Sequence, residues 1–262
     1  MSPSRSSPAA PRVFITGASS GIGEALARHY AGTGACLGLV ARRSERLQAF
    51  AATLPGTHHC YTLDVADAHA LRTAAADFNS AGVADIVIAN AGVSAGTLAE
   101  EAGDLEVQRR IFETNVLGMA NTFQPFVMAM KARGSGRLAG IASVAGIRGL
   151  PGAGAYCASK SATITWLESL RVELRGSGVR VVTVSPGYIA TQMTAVNDYR
   201  MPFLMSADEA AWRFARAIDR GRSYAVIPWQ MGVAAKLLRL LPNALFDQVF
   251  ARAGRKPRGL DL

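Results

Sequence analysis

Arg12-Val-Phe-Ile-Thr-Gly-Ala-Ser-Ser-Gly-Ile-Gly23 is a short apolar run, then a loop with glycines at 17, 21 and 23. The residues that follow, 21–33, have helical spacing. Glycine lets a backbone turn sharply and approach a pyrophosphate, which then rests on a helix N-terminus. A glycine cluster alone also serves ordinary tight turns; its place at the first strand-to-helix junction gives it weight. Gly17, Ser19, Ser20, Gly21, Ile22 and Gly23 are therefore candidate cofactor contacts. The loop lacks the Gly-Lys-Ser/Thr of a nucleotide-hydrolysing P-loop.

Outward from this loop, strand and helix patterns alternate. Apolar runs at 36–41, 57–63, 85–89, 137–142, 179–185 and 224–227 predict six further strands. Amphipathic stretches at 45–54, 68–79, 104–131, 153–175 and 206–219 predict helices between them, the last opened by the capping box Ser206-Ala-Asp-Glu209. Apolar strands between amphipathic helices indicate a parallel sheet covered on both faces. The expected class is α/β: a Rossmann-type doubly wound, mostly parallel seven-stranded sheet in a three-layer α/β/α arrangement. Ligands of such a sheet bind beyond the carboxyl ends of its strands.

At 262 residues the chain is long enough for one large domain with a full core. We expect a disordered arm at 1–11, one cofactor-binding and catalytic domain at 12–228, and amphipathic helices with a basic tail at 229–262. The first residues have no apolar h-region, so they do not read as a signal peptide. No run of eighteen apolar residues predicts a spanning helix. Cys36, Cys60 and Cys157 are odd in number and widely spaced, as for free thiols in a reducing, cytoplasmic setting. The four histidines have no metal-ligand spacing, and no metal is expected. The net charge of +9 rests on 24 Arg and 4 Lys, mostly scattered along helices beside acids. Solvated faces explain that pattern better than nucleic-acid binding.

Two groups of residues carry chemistry. Tyr156 and Lys160 are four apart, hence neighbours on one helical face, and Ser143 lies thirteen residues upstream. A free tyrosine has a pKa of about 10, and a fixed ammonium nearby favours its phenolate. The second group sets the cofactor. An NAD site places an acid after the second strand, about 20 residues beyond the glycine loop. Here Val40-Ala-Arg-Arg43 has no acid and two guanidinium groups. Arginine suits a 2′-phosphate through charge and forked hydrogen bonds, so NADP(H) is favoured over NAD(H), with Arg42 as the ligand. Asp64 can accept from the adenine amino group or cap the following helix.

In order along the chain, Thr16-Gly-Ala-Ser-Ser-Gly-Ile-Gly23, Asp64-Val65, Asn90-Ala-Gly92, Asn115, Ser143, Tyr156-x-x-x-Lys160, Pro186-Gly187 and Thr191 resemble the classical short-chain dehydrogenase/reductase family over roughly 12–191. The resemblance implies that Tyr156 is the general acid in reduction and the base in oxidation. It implies that Lys160 lowers the Tyr156 pKa and holds the nicotinamide ribose, that Ser143 bonds the substrate oxygen, and that Asn115 helps to anchor a relay water. Val65, Asn90, Gly92, Pro186, Gly187, Ile189 and Thr191 join the cofactor cleft on the same ground. Ala142 stands where many relatives carry a second serine. The resemblance also implies a homo-dimer or homo-tetramer joined through the two long central helices.

Residues 187–205 read as a lid after the sixth strand, made apolar and adaptable by methionines such as Met193. With Val93, Ile147 and Leu150 as further walls, they point to a hydrophobic small-molecule substrate, or simply pack the lid on the body. Two short helices split by Pro242 are expected after 229. With the basic tail, segment 229–258 covers a cleft or a subunit contact; the second reading is a peripheral contact with an anionic membrane. The alternative to an enzyme is a nucleotide-sensing or scaffold protein on the same fold, which would need none of Ser143, Tyr156 and Lys160.

Overall fold

Alternate residues of a strand face opposite sides of its sheet, and here both sides are apolar. The computed structural model describes residues 10–259. Its strands are β1 (Arg12–Thr16), β2 (Cys36–Ala41), β3 (His59–Thr62), β4 (Ile86–Ala89), β5 (Gly136–Ile141), β6 (Val179–Pro186) and β7 (Tyr224–Ile227). All pair in parallel, in the order β3-β2-β1-β4-β5-β6-β7. Val13 and Ile15 of β1 point into one core, with Leu39, Ile88 and Val184. Phe14 points into the other, with Val87, Leu138 and Val181.

The helices are α1 (Gly21–Gly32), α2 (Ser44–Ala51), α3 (Ala68–Ser80), α4 (Asp104–Phe112), α5 (Gly118–Arg133), α6 (Gly154–Glu173), α7 (Gln192–Ala195), α8 (Ala207–Asp219), α9 (Trp229–Leu240) and α10 (Asn243–Phe250). Leu26, Leu47 and Phe214 bring α1, α2 and α8 onto the first face. Leu71, Phe123 and Leu167 bring α3, α5 and α6 onto the second. Fully burying a side chain of this size contributes about 1.5–3 kcal/mol. The three layers and seven strands match the sequence expectation, with every strand parallel rather than most. The arm expected at 1–11 lies, for residues 1–9, outside the described residues.

Three details depart from the sequence reading. The helix expected over 104–131 forms without a break, but with a π-helical turn at Glu113–Leu117 between α4 and α5. At Ser206 only half of the capping box forms, the Ser206 hydroxyl accepting from the Glu209 N–H at 3.2 Å. The helix cap before α3 is Asp67, which accepts from His69 and Ala70 at 2.9 Å each, not Asp64.

After β7 the chain turns back over the sheet. Met231 of α9 lies against Gly187. Arg148, in the loop after β5, donates to the Leu238 and Leu241 carbonyls at the end of α9 and to Asn243 Oδ1 at 3.1 Å. A cation there satisfies carbonyls that a helix end leaves open and suits the negative end of its dipole. Among the described residues no helix is long and apolar enough to cross a membrane.

Candidate active site

The strand order reverses between β1 and β4, and a cleft opens there beyond the carboxyl ends of the strands, the place open α/β sheets give to ligands. The glycine loop forms its floor. Gly17 and Gly21 have φ of +68° and +56°, which L side chains rarely adopt. Gly23 is needed for space: a Cβ there would lie 2.2 Å from the Gly17 oxygen and 2.5 Å from Asn90 Nδ2. Asn90 holds the loop from the end of β4, donating from Nδ2 to the carbonyls of Thr16 (3.0 Å) and Gly17 (3.3 Å). Thr16 Oγ1 in turn accepts from the N–H groups of Asn90 (3.1 Å) and Ala91 (3.2 Å). Sequence reasoning quoted Thr16 only as part of a motif; its hydroxyl is the pin between β1 and β4.

These residues fit a dinucleotide. Ser20, the N-cap of α1, makes no side-chain capping bond, so the first-turn N–H groups face the cleft open for an anion. Gly23→Ala should shift the loop against Asn90 and cost about 1–3 kcal/mol. The expected result is a fall in Tm of several degrees and at least a tenfold weaker dinucleotide, read by fluorescence titration. Unchanged affinity would remove the loop from the cofactor site.

At the other end of the loop lie the two arginines. Arg42 Nη1 is 3.8 Å from Asp64 Oδ2, both half-exposed. Arg43 Nη2 donates to the hydroxyl of the buried Ser19 at a long 3.5 Å. Arg43 thus reaches the glycine loop and Arg42 the Asp64 turn, where the sequence favours Arg42 as the ligand. Asp64 Oδ1 closes a turn by accepting from Ala66 N–H at 2.9 Å. The Val65 side chain is a core residue against the backbone of Gly118, so only its main chain faces outward work.

Ser143, Tyr156 and Lys160 meet on one wall of the cleft, with Gly92, Pro186, Gly187, Ile189 and Thr191 around them. Ser143 lies two residues past β5, and its hydroxyl accepts from Ala145 N–H at 3.1 Å. Lys160 is buried, and Nζ donates to the Ile141 carbonyl at 2.9 Å. Nζ stands 5.9 Å from the centre of the Tyr156 ring. Burial pushes Lys160 down to about 8. Burial likewise pushes Tyr156 up to about 12, with the Ser143 hydroxyl opposing it and Cys157 and Tyr199 adding to it. Tyr156 still keeps some solvent contact at the cleft. The expectation that the lysine holds the phenol down is thus not met in the protein alone. Loss of water around the ring is the largest influence on the phenol, and the ammonium's bond goes to a carbonyl.

Asn115 sits in the π turn, where its amide is used by protein. Oδ1 accepts from Val93 N–H (2.8 Å), and Nδ2 donates to Val93 O (3.0 Å) and Ser159 Oγ (3.0 Å). Ser159 passes the contact on to the Tyr156 carbonyl at 2.8 Å. Asn115 therefore clamps the strand-β4 loop to helix α6 just behind Tyr156. Ser159 was missed because a serine inside a helix has no distinguishing pattern.

Of the expected substrate walls, Met193 lines the cleft; Val93, Ile147 and Leu150 lie in the adjoining loops rather than on its surface. The sequence reading has the basic tail covering a cleft or a subunit contact, without the residues that it meets. Residues 254–258 run as a strap across three loops of the site. Gly254 packs on Tyr199 of the lid, Arg255 on Gly152, and Lys256 on Gly96. Pro257 O accepts from Gly96 N–H at 2.8 Å. Arg258 fastens the end, forked onto Asp104 at 2.8 and 3.2 Å and 3.1 Å from Glu101. Asp104 is buried and held below the usual carboxylate range, first by Arg258 and then by the Leu98 N–H. Acids at 101 and 104 and a basic tail were the only sequence signal for this contact.

A model of the short chain dehydrogenase family matches residues 11–200. An uncharacterized oxidoreductase from Myxococcus xanthus is 42% identical over 244 residues, 91% of this chain and 96% of that one. Dehydrogenase/reductase SDR family member 7B from Bos taurus is 32% identical, over 94% of this chain and 82% of its own. Among solved structures, a short-chain dehydrogenase from Streptomyces avermitilis superposes with a TM-score of 0.75 at 25% identity, covering 93% of this chain and 95% of that one. A short-chain type dehydrogenase/reductase from Mycobacterium marinum gives 0.76 at 30% identity, covering 83% and 93%.

Proposed function

The chain belongs to the short chain dehydrogenase family of oxidoreductases, and from that membership we propose that it is an NADP(H)-dependent enzyme interconverting a carbonyl and an alcohol. The observation that carries the reading is one cleft holding the glycine loop at one end and Ser143, Tyr156 and Lys160 at the other. When bound, the nicotinamide supplies or accepts the hydride.

The rest falls to this chain's residues. The glycine loop and the α1 N-terminus hold the pyrophosphate, Arg42 and Arg43 the 2′-phosphate, and Asp64 the adenine end. Asn90, Gly92, Ile189 and Thr191 shape the nicotinamide half. Ser143 donates to the substrate oxygen, an electrostatic support that grows as charge develops there. Tyr156, neutral below about 12, gives its proton to that oxygen in reduction. The phenolate left behind is stabilised by Lys160, which also reaches the nicotinamide ribose. Asn115 keeps the π turn and helix α6 in register for a relay water. The apolar lid and Met193 favour a substrate with a hydrophobic body.

Leu117 and Met128 around α5 and Val172 of α6 are exposed at 57%, 71% and 63%. They support a homo-dimer or homo-tetramer through those helices. Cytoplasmic residence is proposed from the free thiols, with α9 and its exposed Trp229, Val233 and Leu237 as the face for any membrane contact. A panel of aldehydes, ketones and quinones, each given with NADPH and followed by loss of nicotinamide absorbance, tests the reading. At least one hydrophobic carbonyl should be turned over; a panel wholly inert with both NADPH and NADH would reject it.

A further inference from the structure

The strap carries three cations, Arg255, Lys256 and Arg258; the stem of Arg255 lies on Gly152, and the other two differ in their partners. Arg258 has the carboxylates of Asp104 and Glu101. Lys256 Nζ donates to the main-chain carbonyl of Met193 at 3.0 Å, and among the described residues no carboxylate lies within 4.0 Å of it. An ammonium has three donors, so two remain. Burial against the lid pushes its pKa down to about 8, which still leaves roughly nine in ten charged at pH 7. Half-burying an ammonium with no counter-ion is unfavourable, and tail contacts made by main chain, as at Gly96, do not need it.

Its place is specific. Met193, whose carbonyl it touches, lines the same cleft as Ser143 and Tyr156. The backbone of Lys256 is wedged on the loop after β4, where a Cβ on Gly96 would meet the Lys256 oxygen at 2.1 Å. The neighbours Arg255 and Gly254 rest on the loop before α6 and on the lid. Met193 thus joins the strap to the wall of the cleft that holds Tyr156.

We propose that Lys256 binds an anionic group of the substrate. The substrate is then a carbonyl compound, or its alcohol, with an apolar body and a carboxylate or similar acid remote from the reacting carbon. This rests on the carbonyl–alcohol reading above and narrows it. Arg258 with Asp104 and Glu101 keeps the strap in place, so that the lysine is presented at a fixed distance from the phenol.

The test compares a long-chain ω-oxo fatty acid with its methyl ester, using the full-length enzyme and NADPH. The wild type should favour the acid at least tenfold in kcat/KM, mostly through KM. Lys256→Met should lower that acid-to-ester ratio at least tenfold, Lys256→Glu should lower it further, and Lys256→Arg should restore most of it. Equal kcat/KM for acid and ester in the wild type, or a ratio untouched in Lys256→Met, overturns the proposal. If neither compound is reduced, the carbonyl–alcohol reading is left to the panel of aldehydes, ketones and quinones, and binding decides the inference. Calorimetry with NADP⁺ present should then show the acid bound at least tenfold more tightly than the ester by wild type and not by Lys256→Met; no such difference overturns it.

Discussion

Tyr156→Phe should lower kcat for carbonyl reduction by about 10²–10⁴, the usual contribution of a positioned general acid, while the NADPH dissociation constant changes less than about fivefold. The substitution removes one hydroxyl and leaves the ring that lines the cleft, so a loss confined to kcat marks a group used in the transition state. The pH dependence adds a second reading. With Tyr156 at about 12 the proton is present at every working pH, so reduction is not limited by its supply. Lys160 is charged below about 8, and only the charged form stabilises the phenolate that forms as the proton leaves. The reductive kcat should therefore be level below about pH 8 and fall above it. Lys160→Ala should be slow throughout and lose that inflection. Residual activity of Tyr156→Phe within tenfold of wild type would show that another group delivers the proton.

Much of this site could be read in advance because parallel strands deliver their carboxyl ends to one edge. Once residues 12–23, 85–90, 137–143 and 179–187 were assigned as strands with following loops, Gly17, Asn90, Ser143 and Pro186 had to converge at the reversal between β1 and β4. Local pattern suffices for that. It does not suffice for the π turn at 113–117, whose residues have ordinary helical spacing and whose Asn115 is fixed by Val93 and Ser159, distant in sequence. Nor does it give the Tyr156 pKa, since the spacing of Tyr156 and Lys160 says that they are near and nothing about how much water surrounds them. The anchors of the strap were hidden for a third reason: Arg258 meets Asp104 across 154 residues, so a basic tail expected to cover a cleft or a subunit contact does not name its partners.

Arg42→Ala should cut the preference for NADPH over NADH by about 10²-fold, and the pair Arg42–Asp64 explains why the loss exceeds that of Arg43→Ala. A charge-assisted hydrogen bond to a phosphate contributes about 1.5–3 kcal/mol, and the half-exposed position of Arg42 places it at the lower end. Removing Arg42 does more than delete that bond. Asp64, 3.8 Å from its guanidinium, is left facing the 2′-phosphate without its partner, and like charges then repel. NADH has no phosphate at that position and is indifferent to both changes. Arg43 touches the buried Ser19 across 3.5 Å, so Arg43→Ala withdraws a cation without exposing an anion and should cost about tenfold or less. The double variant Arg42→Ala/Asp64→Asn separates the two effects: it should recover roughly a tenth to a third of the lost preference if repulsion contributes. The readout is kcat/KM for each nicotinamide at fixed carbonyl, at low and at moderate salt, because screening should shrink the repulsive share. Equal losses with NADPH and NADH in Arg42→Ala would move the phosphate contact to Arg43 or away from this corner altogether.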